Sequence, residues 1–315
     1  MTEQTDAGLV DEYGTRFTRT SVRQGPGQPG YRWVRFAGPE RTDQMRAPSA
    51  EVAASIRRLP APGLGLALPV QEADRLVYQA KGPESLANLL MREKWTVSYP
   101  IARSLLSGLG GRLRELHAIS SAGLLEEKHP GILRLSAWLG SGKGGGESGR
   151  LFAMAGRRLG PDRLDRLGGW CSFFLSDTPE AVLLHGKPGT GLVVPSASGA
   201  GGVLLIGEDM AAGRASLDIG WVLGELAELR GVIRAKDSDR AAQRWSTLGQ
   251  SFLDGYVDRI PEQAGMAATL AVLTHLRDYC EFVGWNEWWI PLILDIVAEE
   301  CDRSGSGNIS WSQPA

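Results

Sequence analysis

The chain has 315 residues, with 34 lysines and arginines against 36 aspartates and glutamates, and a formal net charge of −2. This length suits two domains or one bilobal domain, and a hydrophobic content of 43% supplies a full core, which excludes a disordered chain and a coiled coil. The near-neutral charge argues against a general affinity for nucleic acid or for an anionic membrane.

Cysteine usage and apolar runs narrow the class of protein further. The three cysteines are far apart and show no CxxC spacing, which argues against a disulfide framework and a zinc site and leads us to expect a cytoplasmic protein. The N-terminal segment has no apolar core, and no apolar run reaches the roughly 18 residues of a membrane-spanning helix. We therefore expect neither a signal peptide nor a transmembrane helix.

The N-terminal quarter has the pattern of a small β-rich lobe, which we place at residues 21–80. Residues 1–20 are polar and aperiodic, so we expect a flexible tail there. A bend rich in glycine and proline at 24–30 precedes a strand in which large apolar and basic residues alternate. Ser49 has the residue type and position of a helix N-cap. The elements predicted in this lobe are strands at 31–36, 65–70 and 75–79 and a helix at 49–58.

From residue 81 onward the pattern is mainly helical, and we assign residues 81–305 to a second lobe, followed by a tail at 306–315. A glycine-rich run at 140–146 predicts a flexible loop. Short apolar runs in the middle of this half predict a central β segment. The predicted helices lie at 85–90, 97–118, 149–158, 161–175, 217–235, 239–259, 266–283 and 288–302, and the predicted strands at 181–185, 192–195 and 203–206.

The central β segment contains a motif that carries chemistry. A buried strand, a tight polar loop and a second buried strand succeed each other over residues 182–194, with His-Gly-Lys at 185–187, and a further strand ends in Ile-Gly-Glu-Asp at 206–209. Here the chain resembles the aminoglycoside/choline phosphotransferase branch of the protein-kinase-like superfamily, whose motifs are His-Gly-Asp-Leu-x-x-x-Asn and Ile-Asp-Trp/Phe-Glu. The resemblance extends over most of residues 30–300. It implies an α+β, bilobal protein-kinase-like fold with ATP between the lobes.

The resemblance also indicates which residues would hold the nucleotide. Arg35 lies where the family has a lysine on a strand, and Glu51, at the start of a helix 16 residues later, lies where the ion-pair partner of that lysine is expected. Tyr78 and Gln79 belong to the segment that matches the hinge after the N-lobe sheet. We therefore expect these four residues to form the nucleotide site, with Arg35 and Glu51 paired.

Several motif positions depart from the family pattern. The carboxylate that follows His-Gly in the family is Lys187 here, and the metal-binding asparagine further on is Leu192, or Gly191 with one deletion. The metal-binding aspartate after the next strand is Gly207. Kinase chemistry positions a phosphoryl group with metal ions, a carboxylate near the acceptor and basic groups on the phosphates, so each departure weakens the case for catalysis.

Neighbouring residues offer replacements for part of this chemistry. Glu208 and Asp209 follow directly after Gly207 and have the oxygen ligands that Mg²⁺ prefers, so we expect one of them to bind the metal. Lys187 can neutralise a phosphate as a point charge. The sequence favours a bracing role for His185 within the loop and leaves general acid–base chemistry open as an alternative. The resemblance gives Asp218 the task of holding the loop backbone.

Three functions remain open at this stage. The first is an ATP-dependent phosphotransferase acting on Ser and Thr of a ribosomal precursor peptide, as the similarity to the kinase-like subunit of class V lanthipeptide synthetases implies, with the peptide and a lyase as partners. The second is a pseudokinase that serves as a peptide-binding or scaffolding subunit. A protein that is no longer selected for catalysis is expected to lose its metal-binding and base residues, as this chain has. The third is a phosphotransferase for a small molecule such as an antibiotic.

Overall fold

A five-stranded antiparallel sheet forms the N-terminal part of the computed structural model. Its strands are β1 (Gly8–Gly14), β2 (Thr18–Gln24), β3 (Tyr31–Ala37), β5 (Val70–Glu72) and β6 (Arg75–Ala80), and β4 (Leu64–Ala67) lies outside it. The spatial order is β1-β2-β3-β6-β5. The structure describes residues 8–24, 30–60, 63–91, 95–199, 201–237, 239–256, 261 and 263–304.

The expectation of a flexible tail over residues 1–20 is wrong for residues 8–20. Strand β1 pairs with β2, and β2 pairs with β3 from Thr18 to Arg23. Six of the seven β1 positions are exposed, so its sequence carries no alternation of buried and exposed positions. Backbone pairing with β2, and not a hydrophobic face, specifies this edge strand. The bend predicted at 24–30 falls largely on residues 25–29, which lie outside the described residues.

Helix α1 (Ala50–Arg57) begins as the sequence predicts. The Ser49 hydroxyl oxygen accepts a hydrogen bond from the Val52 amide at 3.2 Å, which satisfies one free donor of the first turn. Val52 and Ile56 face the core, whereas Glu51 faces solvent. The N-cap prediction is confirmed, and the helix turns its acidic residue away from the cleft.

The C-terminal part is built from helices around a small β segment. Its helices are α2 (Leu86–Met91), α3 (Trp95–His117), α4 (Pro130–Ser141), α5 (Ser148–Leu175), α6 (Ser216–Lys236), α7 (Asp239–Tyr256), α8 (Ala264–Phe282) and α9 (Trp289–Ser304). Its strands are β7 (Val182–Leu184), β8 (Val193–Pro195), β9 (Gly202–Leu205) and β10 (Ala211–Gly213). Strand β4 runs parallel to β9, which pairs antiparallel with β8, and β7 pairs with β10. The β4–β9 pairing therefore ties the segment before β5 to the C-terminal part.

Two details of the helices bear on the sequence analysis. Helix α5 runs through the two helices predicted at 149–158 and 161–175, with a kink at Gly160 (φ 75°) before Pro161. Helix α4 was not predicted, and its last turn includes the start of the glycine-rich run, with Gly142 as a left-handed C-cap (φ 66°). Within the described residues, no helix is long and apolar enough to cross a membrane.

Candidate functional site

The loop after β7 is held by buried hydrogen bonds from α6. The Asp218 carboxylate accepts from the His185 amide at 2.7 Å and from the Gly186 amide at 2.9 Å. The Nε2 atom of His117 lies 3.0 Å from the same carboxylate. Burial acts to raise the pKa of Asp218, but the hydrogen bond and the charge of His117 outweigh it and lower that pKa. The predicted task of Asp218, holding the loop backbone, matches this geometry.

Both ring nitrogens of His185 make hydrogen bonds to backbone groups of the protein. Its Nε2 lies 2.9 Å from the carbonyl oxygen of Leu205 on β9, and its Nδ1 accepts from the Lys187 amide at 3.3 Å. The side chain is 2% exposed, and burial lowers the pKa of His185. A neutral ring with the proton on Nε2 satisfies both contacts. This arrangement favours the bracing role over acid–base chemistry.

Glu208 is the centre of a buried ion-pair cluster. Its Oε2 accepts from Arg35 Nε at 2.5 Å, and its Oε1 accepts from Arg41 Nη1 at 2.9 Å. The hydroxyl of Thr18 lies 3.4 Å from Oε1, and Arg35 also donates to the hydroxyl of Thr20 at 3.1 Å. Burial acts to raise the pKa of Glu208, but the two guanidinium groups lower it to about 2. The carboxylate is therefore ionised and fully paired.

The expected ion pair between Arg35 and Glu51 is not formed. Arg35 turns its guanidinium to Glu208, which the turn after β9 presents to the cleft. Glu51 is exposed on α1, whose buried face carries Val52 and Ile56. The pairing prediction is wrong because the rotation of α1 directs position 51 to solvent.

The residues around Glu208 do not fit a magnesium site. Both Glu208 oxygens already accept from arginine, and Asp209 Oδ1 lies 3.7 Å from Arg41 Nη2. Burial and the charge of Glu208 raise the pKa of Asp209, so this carboxyl group keeps its proton more readily than a free one. Nowhere in the described ranges do three His, Cys, Asp or Glu side chains converge into a group that could hold a metal ion by itself.

Trp33 fills the space beneath the sheet where the resemblance places a nucleotide. It stands two residues before Arg35 on the same face of β3, and it is fully buried. Its indole Nε1 donates to the carbonyl oxygen of Gly82, in the segment after β6, at 3.0 Å. It belongs to one buried cluster with Val194 of β8 and Leu205 of β9. The sheet is thus packed directly onto the C-terminal part.

The segment after β6 is packed as closely as the sheet. A Cβ on Gly82 would lie 1.8 Å from the carbonyl oxygen of Pro195 on β8, and the Lys81 carbonyl accepts from the Ala197 amide at 3.0 Å. Tyr78 is 1% exposed within the Trp33 cluster, whereas Gln79 is exposed on the opposite face of β6. Gln79 lines a separate cavity on that face, so neither predicted hinge residue borders an open space beneath the sheet. The space beneath the sheet therefore does not fit an adenine nucleotide.

A cavity of about 300 Å³ remains on the C-terminal side of the cleft. It lies between the loop after β7 and helices α6 and α8. Its polar lining includes Lys187, Glu225, Glu228, His275 and Asp278, and its apolar lining includes Leu192, Trp221 and Ala271. Lys187 and Arg35 both reach this cavity, whereas Glu51, Tyr78 and Gln79 do not line it. The structure therefore brings only part of the predicted site together.

The turn between β1 and β2 closes one side of the cleft. The Arg16 amide donates to the carbonyl oxygen of Phe282 at 3.1 Å, and the Phe17 ring stacks on the Phe282 ring at 4.7 Å between centroids. The guanidinium groups of Arg41 and Arg134 lie 4.7 and 4.8 Å from the centroid of Phe17. This turn is anchored to the end of α8.

The fold of the chain is similar to that of solved structures. No protein-family model matches the chain, and no curated protein is significantly similar to it. A spectinomycin phosphotransferase in complex with ADP and spectinomycin matches 95% of this chain over 93% of its own, with a TM-score of 0.54 and 9% identity. A Plasmodium vivax ethanolamine kinase matches 98% of this chain over 86% of its own, with a TM-score of 0.56 and 9% identity. The chain has the protein-kinase-like phosphotransferase fold. The predicted fold class is confirmed, and at this identity the likeness shows the fold alone.

Sequence reasoning missed two important residues of the cleft. Trp33 could have been found, because side chains two apart on a strand share a face and Arg35 was already assigned to the cleft. Arg41 lies in a loop outside every motif, and no local pattern connects it to Glu208. Its role depends on a contact across 167 residues of sequence.

Proposed function

We propose that this chain is a kinase-fold binding protein, a pseudokinase that recognises a ligand or partner without transferring phosphate. The observation that carries the proposal is the buried indole of Trp33 beneath the sheet. A phosphotransferase must first bind its nucleotide, and an aromatic bicycle in that space excludes a purine by steric overlap. Cores are close-packed, so the indole cannot move aside without leaving its apolar neighbours.

The charges of the cleft support the same proposal. Phosphoryl transfer depends on positioning and on metal ions that neutralise the phosphates. Here Arg35 and Arg41 neutralise Glu208, the carboxylate nearest to the missing metal-binding position. Lys187 stands where the resemblance implies a carboxylate near the acceptor hydroxyl. Glu208 is thus neutralised by side chains of the protein, without a cation from solution.

Two catalytic alternatives follow from the sequence analysis, namely phosphorylation of Ser and Thr in a precursor peptide and phosphorylation of a small molecule. Both require the nucleotide and Mg²⁺ that the described residues do not fit. The precursor peptide and the lyase remain predictions as partners. Under this proposal the chain would bind them without phosphorylating the peptide. Membership of a class V lanthipeptide synthetase rests on the sequence resemblance alone.

Phosphate transfer from labelled ATP tests the proposal. The wild-type protein is incubated with Mg²⁺ and ATP and with either a Ser/Thr-rich peptide or a panel of aminoglycosides and amino alcohols, beside an active kinase of the same fold as a positive control. We expect no more label in the acceptors than with heat-inactivated protein. Transfer by wild type that is lost in Lys187→Ala would overturn the proposal and restore the catalytic alternatives.

A further inference from the structure

The 300 Å³ cavity is lined by charged side chains whose pairing is uneven. The His275 Nδ1 atom lies 2.7 Å from Glu228 Oε2, and Glu228 raises the pKa of His275. Asp278 accepts from Arg134 at 2.9 Å and from Arg277 at 2.6 Å. These lining groups therefore already have charged partners.

Lys187 is a cation of the cavity lining that has no ion-pair partner among the described residues. Its side chain is exposed and lines the cavity, and it makes no ion pair within 4 Å with any side chain in the described part of the chain. Its charge acts from beyond ion-pair distance on Glu208, Asp209 and Asp278. An arginine already contacts each of these three carboxylates. An ammonium group with this freedom is available to an anionic group of a ligand.

Glu225 is the matching anion. Its Oε2 accepts from the Thr190 amide at 2.8 Å and its Oε1 accepts from the Thr190 hydroxyl at 2.5 Å, and no cationic side chain of the described residues lies within 4 Å of it. Burial raises the pKa of Glu225. Gly189 permits this approach, since a Cβ there would lie 2.6 Å from Glu225 Oε2. The loop thus holds an uncompensated carboxylate at the cavity wall.

The rest of the wall is mainly apolar, with Arg35, which is paired to Glu208, and the hydroxyl groups of Tyr13 and Thr274 as its other polar members. Leu192, Trp221 and Ala271 line the cavity, and Trp221 is only 8% exposed. A largely apolar pocket with a few convergent polar groups is the usual form of a small-molecule site, in which the polar groups orient the ligand. The ligand that complements this lining carries one negative group, one positive group and an apolar body.

We propose that this cavity binds a small zwitterion of the amino-acid class, with its carboxylate on Lys187, its ammonium on Glu225 and an apolar side chain against Trp221 and Leu192. The ligand neutralises both uncompensated groups at once, which neither a simple anion nor a simple cation does. This inference rests on the proposed function, because a protein that only binds its ligand can hold it in this cavity without a nucleotide in the cleft.

Ligand-induced thermal shifts and calorimetry test the inference directly. The probes are L-leucine, L-methionine, L-phenylalanine and the spaced zwitterions γ-aminobutyrate and ε-aminohexanoate. Each binder is compared with its N-acetyl derivative, which lacks the cation, and its amide or methyl ester, which lacks the anion. We expect at least one zwitterion to raise the melting temperature and both derivatives to bind about tenfold more weakly, the cost of one charged hydrogen bond.

Variants assign each ligand group to its residue. In Lys187→Met, the zwitterion and its ester should bind equally; in Glu225→Gln, the zwitterion and its N-acetyl form should bind equally. Lys143→Met, an exposed lysine that does not line the cavity, should behave as wild type. If Glu225→Gln fails to fold, the derivative comparison on wild type still decides the matter.

The outcomes separate this inference from the proposed function. No shift with any zwitterion, or equal binding of the three ligand forms to wild type, would overturn the inference and leave the proposed function intact. Phosphate transfer from labelled ATP by the same preparation would overturn the proposed function, whatever the zwitterions do.

Discussion

The indole Nε1 of Trp33 donates to the carbonyl oxygen of Gly82 at 3.0 Å, so a side chain of β3 closes the space between the sheet and the segment after β6. The indole is a bicyclic aromatic group with an N–H donor, which are features that it shares with adenine. Trp33 therefore fills the volume in which a nucleotide base would lie. It also occupies the Gly82 carbonyl oxygen, which a base could otherwise use as a hydrogen-bond acceptor.

Removing this indole should open the site. We expect Trp33→Ala to lower the free energy of unfolding by about 3–5 kcal/mol, since a large buried aromatic group is lost and a cavity remains. Such apolar cavities bind small aromatic molecules that fit them. Adenine or adenosine should then raise the melting temperature of Trp33→Ala and leave that of wild type unchanged.

Trp138→Ala is the matched control for this experiment. The Trp138 indole is 1% exposed and donates to the Ser148 carbonyl at 3.0 Å, but it lies in the helical core. Its loss should destabilise the protein by a similar amount without any response to adenosine. Equal responses of the two variants would contradict the assignment of Trp33 to the nucleotide space.

Most of the fold was predictable because its periodic segments are long. The alternation of apolar and basic residues at 31–36 and the N-cap residue Ser49 are local signals. The structure confirms the strand and the helix start that they predict. Strand β1 was missed since it is an edge strand with both faces largely exposed, which leaves no hydrophobic alternation. Helix α4 was missed, although His129 accepts from the Ile132 amide as its N-cap and Pro130 occupies the first position.

The Glu208 cluster should dominate the acid stability of the cleft. Its pKa is lowered to about 2 from an ordinary value of 4.5. A carboxylate with a depressed pKa contributes stability above its unfolded pKa and loses it as the pH falls through the folded value. Glu208→Gln should therefore be less stable near neutral pH, by about 3–5 kcal/mol because two buried arginines lose their partner, and its stability should fall less between pH 4.5 and 2.

Urea unfolding at several pH values measures this effect. Glu72→Gln serves as the control, because the Arg32–Glu72 pair of the same sheet is partly exposed and such pairs contribute about 0–1 kcal/mol. The account would be contradicted if both variants lost the same stability.

His129 should lower the stability of the protein in the same direction, but at mildly acidic pH, above the range in which Glu208 acts. Burial lowers its pKa to about 4 from 6.5, so the unfolded chain binds a proton in this interval and the folded chain does not. Stability should fall by about 3 kcal/mol as the pH drops from 6.5 to 4. His129→Asn keeps an N-cap residue and should flatten this part of the profile. A variant profile parallel to that of wild type over the interval would refute the role of His129.

The Phe17 ring should control the opening of the β1–β2 turn. Phe17→Leu keeps apolar contact with Phe282 but removes the aromatic faces that Arg41 and Arg134 contact. With about 0.5–1 kcal/mol for each such contact, amide hydrogen exchange in the turn should become about tenfold faster.

Phe36→Leu is the control for that measurement. Two guanidinium groups also lie near this ring, at 5.5 and 6.0 Å from its centroid, but it stands on β3 opposite Arg19 of β2 and does not anchor the turn to Phe282. Exchange in the turn should then stay at the wild-type rate. Unchanged exchange in Phe17→Leu would show that the turn is held by its backbone bonds alone.

The site was less predictable than the fold because its important contacts are long-range. Position and spacing placed Lys187 and Glu208 in the cleft, and the structure puts Lys187 at the cavity and Glu208 behind it. The Arg35–Glu51 pair failed because spacing along the chain does not determine which face of α1 is buried. Arg41, which completes the Glu208 cluster, belongs to a loop whose sequence carries no periodic signal.

Calorimetric titration of the wild-type protein with ATP, in the presence and absence of Mg²⁺, decides whether the buried Trp33 indole excludes a nucleotide. A ligand at about 100 times its Kd stabilises a protein by about 2.7 kcal/mol, so the melting temperature gives an independent readout on the same samples. We expect no saturable heat and no change in melting temperature at millimolar Mg²⁺ and ATP. Saturable binding with a micromolar Kd, together with a rise in melting temperature, would contradict this expectation.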